Sequence, residues 1–240
     1  VAVAGVDGEQ MLAAKHILLA TGSAPTELPN LPLDGEYVIS STEALALDEV
    51  PERLVVIGGG AIGLEMGSVW SRLGSEVLVL EFMDQILPGM DREMAGQMAR
   101  LLKRQGIDCR LGASAQGVEV GDGKVALKVA VGDKESVELC DRVLVAVGRR
   151  PCSTGLGLQE VGVEINKSGQ VVIDEHFRSN IEGIYAIGDM VPGPMLAHKA
   201  EIEGVAAVEQ IAGRAGRAKV PRRRVMCARV GVLEDVPGST

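Results

Sequence analysis

The 240-residue chain can hold one large or two ordinary domains, and its 46% hydrophobic content is ample for buried cores. A formal net charge of −9 argues against a general nucleic-acid-binding face, and no apolar run is long enough to span a bilayer, because Glu65 and Arg72 interrupt the most hydrophobic stretch. Cys109, Cys140, Cys152 and Cys227 are scattered without C-x-x-C or Cys/His ligand spacing, so neither a disulfide framework nor a metal site is expected and a reducing compartment fits best.

The first residue is Val1, with no initiator Met and no signal or transit-like segment, so the beginning of the chain is expected to be missing. Val1–Val6 and Met11–Ala14 flank Asp7-Gly8, a pattern that suits a small hairpin. His16–Ala20 read as a strand ending in Thr21-Gly22-Ser23, which by itself is only a turn. Pro25, Pro29 and Pro32 then mark a linker. Ser40-Ser41-Thr42 can cap a short helix through Leu47, and Pro51 precedes the next strand.

Arg53–Glu81 is the segment around which the rest is organised. Leu54–Ile57 form a short buried strand, and Gly58, Gly60 and Gly63 follow at G-x-G-x-x-G spacing before a helical pattern. Gly58 permits the tight turn, Gly60 lets the backbone approach a pyrophosphate, and Gly63 lets the helix lie close on the strand. The N–H groups around Ala61, Ile62 and Gly63 lack intrahelical partners and sit at the positive dipole end, so they would face phosphates. Ile62, Met66, Val69 and Leu73 are expected on the buried face, Gly74 stops the helix, and Val77–Leu80 make the next strand. Glu81 closes it where a ribose would lie. Its carboxylate would accept from a free 2′-hydroxyl and repel a 2′-phosphate, which predicts NAD rather than NADP.

Beyond Glu81, Asp91 reads as the N-cap of a helix with Met94, Met98, Leu101 and Leu102 on one face and Gly106 at its end. Ile107–Leu139 suggests short strands and turns in an antiparallel meander, and Val143–Val147 a buried strand leading into Gly148-Arg149-Arg150-Pro151. Strand signals resume at Val171–Ile173 and Gly183–Ile187. The latter runs into Gly188-Asp189, where the Asp reads equally well as a turn former. A helix is expected from about Met195 to Ala212, with Pro near its first turn.

Ala20-Thr21-Gly22-Ser23, the Gly58–Glu65 turn, Val147–Pro151, Ile187-Gly188-Asp189 and Gly193–Glu201 occur in the order seen in flavoprotein disulfide reductases, which the chain resembles from Val1 to about Gly216. Within that family the last motif and Gly63–Gly74 are most similar to the dihydrolipoamide dehydrogenase branch. The resemblance implies an α/β architecture, a Rossmann-like ββα three-layer FAD/NAD(P)-binding fold, with an NAD domain (31–148) inserted into a partial FAD domain (1–30 and 149–216). It places Thr21, Gly22 and Ser23 near FAD, Asp189 on its ribityl chain, and Met195, Leu196, Ala197 and His198 against the flavin ring. There the helix-start N–H groups would stabilise negative charge on a reduced flavin, and His198 would expose its backbone amide without acid–base duty. Glu65 would lie near the stacked nicotinamide, and Ala115 and Gly148 would line the NAD site.

The resemblance further implies a homodimeric parent that oxidises the lipoyl-bearing protein of a 2-oxoacid dehydrogenase or glycine cleavage complex, in the cytoplasm or, in a eukaryote, the mitochondrial matrix. Electrons would pass through a protein disulfide and FAD to NAD. Neither a C-x-x-x-x-C pair, nor the first FAD glycine motif, nor the interface domain with its His/Glu pair is found here, so no catalytic residue is assigned and the chain alone is expected to be inactive. Residues 217–240 form an anomalous tail. Arg214, Arg217, Lys219, Arg222, Arg223, Arg224 and Arg229 occur with no acid between Glu209 and Glu234, which reads as an altered frame or junction whose expected fate is disorder. Two alternatives stay open: a catalytically incomplete NAD-binding module, and another NADH-dependent flavoprotein reducing a disulfide or a metal.

Overall fold

The computed structural model describes residues 1–6 and 8–214, so the basic tail lies outside the described residues. The first elements are β1 (Ala2–Gly5), β2 (Gly8–Met11), β3 (Ile17–Leu19), β4 (Ser23–Pro25), β5 (Val38–Ile39), α1 (Ser41–Ala44), β6 (Arg53–Ile57), α2 (Ala61–Leu73), β7 (Glu76–Glu81) and α3 (Arg92–Arg104). They are followed by β8 (Asp108–Leu111), β9 (Ala113–Gly121), β10 (Lys124–Val131), β11 (Lys134–Cys140), β12 (Arg142–Val145), β13 (Arg149–Pro151), β14 (Ile184–Ala186) and α4 (Ala197–Ile211), with a 3-10 turn over Gly188–Met190. The described chain divides into two compact units, one of Pro25–Arg149 and one that joins Val1–Ala24 to the described residues from Arg150 onward.

The inserted unit is three-layered. Its central sheet, in the order β5-β12-β6-β7-β8, is parallel throughout. Strands buried on both faces need apolar residues at every position, and alternate residues serve different layers. Leu54, Val56, Val77, Val79 and Leu144 pack with Leu64, Met66, Trp70, Ala95 and Leu102 of α2 and α3. Val55, Ile57, Leu78, Leu80, Val143 and Val145 turn the other way, onto Val125, Leu127 and Val129 of the antiparallel layer β9-β10-β11. The expected ββα order of layers is therefore present. Glu138 of β11 is buried between Arg53 (2.7 Å) and Arg110 (2.5 Å). Ser40 and Glu43 complete a reciprocal capping box at α1.

The other unit contains the β1–β2 hairpin and a parallel pair, β3 and β14, with Leu18 beside Tyr185 and Leu19 beside Ala186. Ala206 and Ala207 of α4 pack with Ile187 and Phe177, and a second cluster gathers Leu158, Val163, Val171, Ala186 and Met190.

Several local expectations are corrected. Val69 and Leu73 of α2 are exposed, and the buried face is instead Gly63, Leu64, Met66, Gly67 and Trp70. A search for apolar spacing overlooks glycines, yet they are what allow close approach: a Cβ on Gly67 would already sit 3.3 Å from Val77. In α3, Ala95 and Leu102 are buried while Met94 and Leu101 are exposed. Segment 108–111 is not part of the meander but pairs parallel to β7, because the crossover through α3 returns the chain beside the strand it left. Val171–Ile173 forms no strand. Val171 N–H donates to Met190 O and Val172 N–H to Glu164 O, two separate segments, leaving a single bridge to Ile165. α4 begins at Ala197, with Pro194 upstream of its N-cap Leu196 rather than in the first turn.

Candidate functional site

In the inserted unit the sequence-predicted residues collect at the carboxyl ends of parallel strands, where open α/β sheets bind ligands. β6 ends at Ile57, and Gly58 (φ +108°) begins a turn into α2. A Cβ there would lie 2.4 Å from Ala146 O, in the segment after β12, so this position excludes any side chain. A Cβ on Gly63 would lie 2.0 Å from Gly58 O, which is why helix and turn can touch only through glycine. Gly60 differs from both. It is the N-cap of α2, its φ of −78° suits any residue, and a Cβ there would meet no atom within 4 Å. That open space borders the helix N-terminus, where Ala61, Ile62 and Gly63 have no N–H acceptors within the helix.

Glu81, only 6% exposed, turns back toward this bend. Its Oε2 accepts from Gly59 N–H at 2.6 Å and its Oε1 from Met83 N–H at 2.8 Å. The Gly59 carbonyl in turn accepts from Leu87 N–H at 2.8 Å, so Gly59 is held on both sides. Sequence reasoning missed Gly59, although it was legible as the middle of a Gly-Gly-Gly run: a Cβ there would crowd Glu81 and Ile86 at 3.2 Å. Glu65 is exposed on α2. Gly148 (φ +125°) is exposed beyond β12 and its carbonyl accepts from Thr26 N–H. Ala115 lies instead on β9 in the antiparallel layer, its carbonyl accepting from Asn30 Nδ2 at 2.7 Å.

The other unit repeats the strand-end arrangement on a smaller scale. β3 and β14 run parallel, so Thr21-Gly22-Ser23 and Gly188-Asp189 emerge side by side, and Ser23 Oγ donates to Asp189 Oδ2 at 2.5 Å. Thr21 Oγ1 donates to Cys152 O and contacts Met190 Sδ, and Cys152 N–H donates to Gly22 O. Met195 is partly buried, and Leu196, Ala197 and His198 are exposed at the start of α4. Sequence reasoning also missed the charges behind them. Lys199 and Glu203, buried and one helical turn apart, both bond to Gly188, and their Lys-x-x-x-Glu spacing was the available signal. Among the described residues no cluster of His, Cys, Asp and Glu could hold a metal ion.

A parallel sheet sandwiched between helices and a meander, carrying a glycine turn and a strand-end carboxylate, defines the class: a Rossmann-like FAD/NAD(P)-binding oxidoreductase. Residues 1–204 match the pyridine nucleotide-disulphide oxidoreductase family, and the chain belongs to it. It is 48% identical over 227 residues to the mitochondrial dihydrolipoyl dehydrogenase of Pisum sativum, covering 92% of this chain and 45% of that protein. It is 50% identical over 219 residues to the leghemoglobin reductase of Vigna unguiculata, covering 89% of this chain and 42% of that one. Among solved structures, LpdA from Mycobacterium tuberculosis matches with a TM-score of 0.83 at 27% identity, over 91% of this chain and 47% of its own. The flavoprotein disulfide reductase RclA of Escherichia coli matches with a TM-score of 0.80 at 27% identity, over 91% and 48%. The chain thus spans a little under half the length of these relatives. Membership implies the cofactors FAD and NAD.

Proposed function

We propose that this chain supplies the NAD-binding domain and part of the FAD-binding domain of a dihydrolipoamide dehydrogenase, which oxidises protein-bound dihydrolipoamide to reduce NAD+. The reading rests above all on Gly60, where there is room beside a helix N-terminus that no atom of the described residues fills. The residues present suit a dinucleotide. The free N–H groups at Ala61, Ile62 and Gly63 would take the pyrophosphate, with Gly58 and Gly60 keeping side chains out of its way. Glu81, held by Gly59 and Met83, keeps lone pairs for ribose hydroxyls while its negative charge opposes a 2′-phosphate. Ala115 and Gly148 would border the rest of the nucleotide, and Glu65 the nicotinamide.

In the other unit Asp189, backed by Ser23, suits a ribityl hydroxyl, and Thr21 and Gly22 would pass beside the flavin. Met195, Leu196, Ala197 and His198 would meet the ring at the positive end of α4, with His198 exposed and given no proton-transfer role. FAD, when bound, supplies the two-electron relay between thiol and nicotinamide chemistry. The partner that fits is a lipoyl-bearing protein of a 2-oxoacid dehydrogenase or glycine cleavage complex, in the compartment where that complex resides. The parent enzyme would be a homodimer.

Calorimetry of the 240-residue chain with NADH and NADPH tests the nucleotide assignment. Micromolar NADH binding with NADPH weaker by about tenfold or more is expected, and equal affinities or no NADH binding would refute it. The 50% identity to a leghemoglobin reductase favours one second reading, reduction of a haem protein by NADH. An intact protein bearing these residues that turned over a ferric haem protein but not dihydrolipoamide would support that reading instead.

A further inference from the structure

Lys199 and Glu203 are 5% and 8% exposed, and nothing in the cofactor assignment uses them. Lys199 Nζ donates to Gly188 O at 2.9 Å and to Glu203 Oε2 at 3.0 Å, and the same Oε2 accepts from Gly188 N–H at 2.8 Å. The pair therefore fixes both peptide planes that flank Gly188, the second of which carries Asp189. The lysine stem also packs close against a neighbouring segment, since a Cβ on Gly193 would lie 2.8 Å from Lys199 Cε. A buried ion pair seldom adds much net stability over apolar packing, so the consequence of this one is geometric.

We propose that Lys199 and Glu203 are positioning residues for FAD: they lock Gly188 so that the Asp189 carboxylate meets Ser23 and presents its free edge to the ribityl chain, while Lys199 steadies the approach to Met195. The inference rests on the flavin reading given above. It explains why a lysine is buried at the start of α4, where the helix dipole disfavours a cation: its partners are the Gly188 carbonyl and Glu203.

The test compares an intact protein bearing these residues with its Lys199→Met variant, with Glu203→Gln as the near-isosteric variant, and with Asp189→Asn as the control for the flavin reading. Two readouts are needed: amide hydrogen exchange by NMR, and FAD affinity with the visible spectrum of the bound flavin. Exchange at Gly188 is expected to rise about tenfold or more in both pair variants while Ala206 and Ala207 keep their protection, which separates local release from unfolding. FAD affinity is expected to fall about tenfold, with a displaced flavin band, as bonds that aim the carboxylate are lost. Unchanged Gly188 exchange, or an unchanged flavin affinity and band in both variants while Asp189→Asn loses affinity, overturns this inference alone. An intact wild-type protein bearing these residues that takes up no FAD overturns the flavin reading and the role of the pair together.

Discussion

The substitution that best separates binding from folding is Gly60→Ala, set against Gly63→Ala three residues away. At Gly60 the backbone is in an ordinary region and the added methyl meets no atom within 4 Å. Removing glycine's unfolded-state freedom stabilises by about 0.4–1 kcal/mol, and the poorer N-cap costs about 0.5–1 kcal/mol. The two nearly cancel. At Gly63 the same methyl would lie 2.0 Å from Gly58 O, so α2 must lift off its turn at a cost of about 1–3 kcal/mol. Urea denaturation followed by the single tryptophan, Trp70, on the buried face of α2, measures both. Gly60→Ala should keep its midpoint and yet lose about tenfold or more in NADH affinity by calorimetry, equivalent to about 1.4 kcal/mol, because the methyl takes the space left for the diphosphate. An undiminished affinity in Gly60→Ala would refute the reasoning, and so would a stability loss equal to that of Gly63→Ala.

Glu138→Gln should cost about 2 kcal/mol at neutral pH by weakening the bonds from Arg53 and Arg110, measured by the same denaturation. Burial raises the Glu138 pKa but the two guanidinium groups outweigh it and hold it below the ordinary 4.5, so its contribution is complete above that value and fades as pH falls through the lower folded-state pKa. The variant should accordingly show a shallower acid limb in a stability–pH profile. Glu81→Gln keeps one acceptor but turns an NH2 group on either Gly59 or Met83 N–H, so a loss of about 1–3 kcal/mol and a narrowed preference for NADH over NADPH are expected from denaturation and calorimetry. Burial raises the Cys109 thiol to about 11 and the Cys140 thiol to about 12, and both should resist an aromatic disulfide reagent at pH 8 until denaturant is added.

What was legible in the chain was whatever depends on neighbours in sequence. Leu54–Ile57 followed by Gly58, Gly60 and Gly63 announces a strand, a turn and a helix, and a cap within Ser40-Ser41-Thr42 follows from its residue types, Ser40 being the N-cap. Contacts that depend on the rest of the fold were not. Val69 and Leu73 have the right spacing and hydrophobicity for a core, but the close approach at Gly63 and Gly67 turns the helix so that they face outward. Asp108–Leu111 has the alternation of a meander strand, yet only the crossover through α3 decides that it pairs with β7. Asp189 was equally a turn former until Ser23, 166 residues away, supplied its hydrogen bond.

The two candidate sites share one device. Each places a glycine just beyond a parallel strand, and each ties that glycine's N–H to a buried carboxylate: Gly59 to Glu81 in one unit, Gly188 to Glu203 in the other. A glycine turn gives up side-chain contacts to let a ligand approach, so its shape must be fixed through its own peptide groups, and a carboxylate accepts more strongly than a neutral group. The devices differ in what balances the charge. Glu203 is paired with Lys199, so its charge is confined to the scaffold, and on the proposed reading recognition falls to Asp189 beside it. Glu81 receives two backbone N–H groups and, among the described residues, no cation. It therefore keeps lone pairs to spare while it fixes the backbone, and on the proposed reading those lone pairs distinguish a bare ribose from a phosphorylated one.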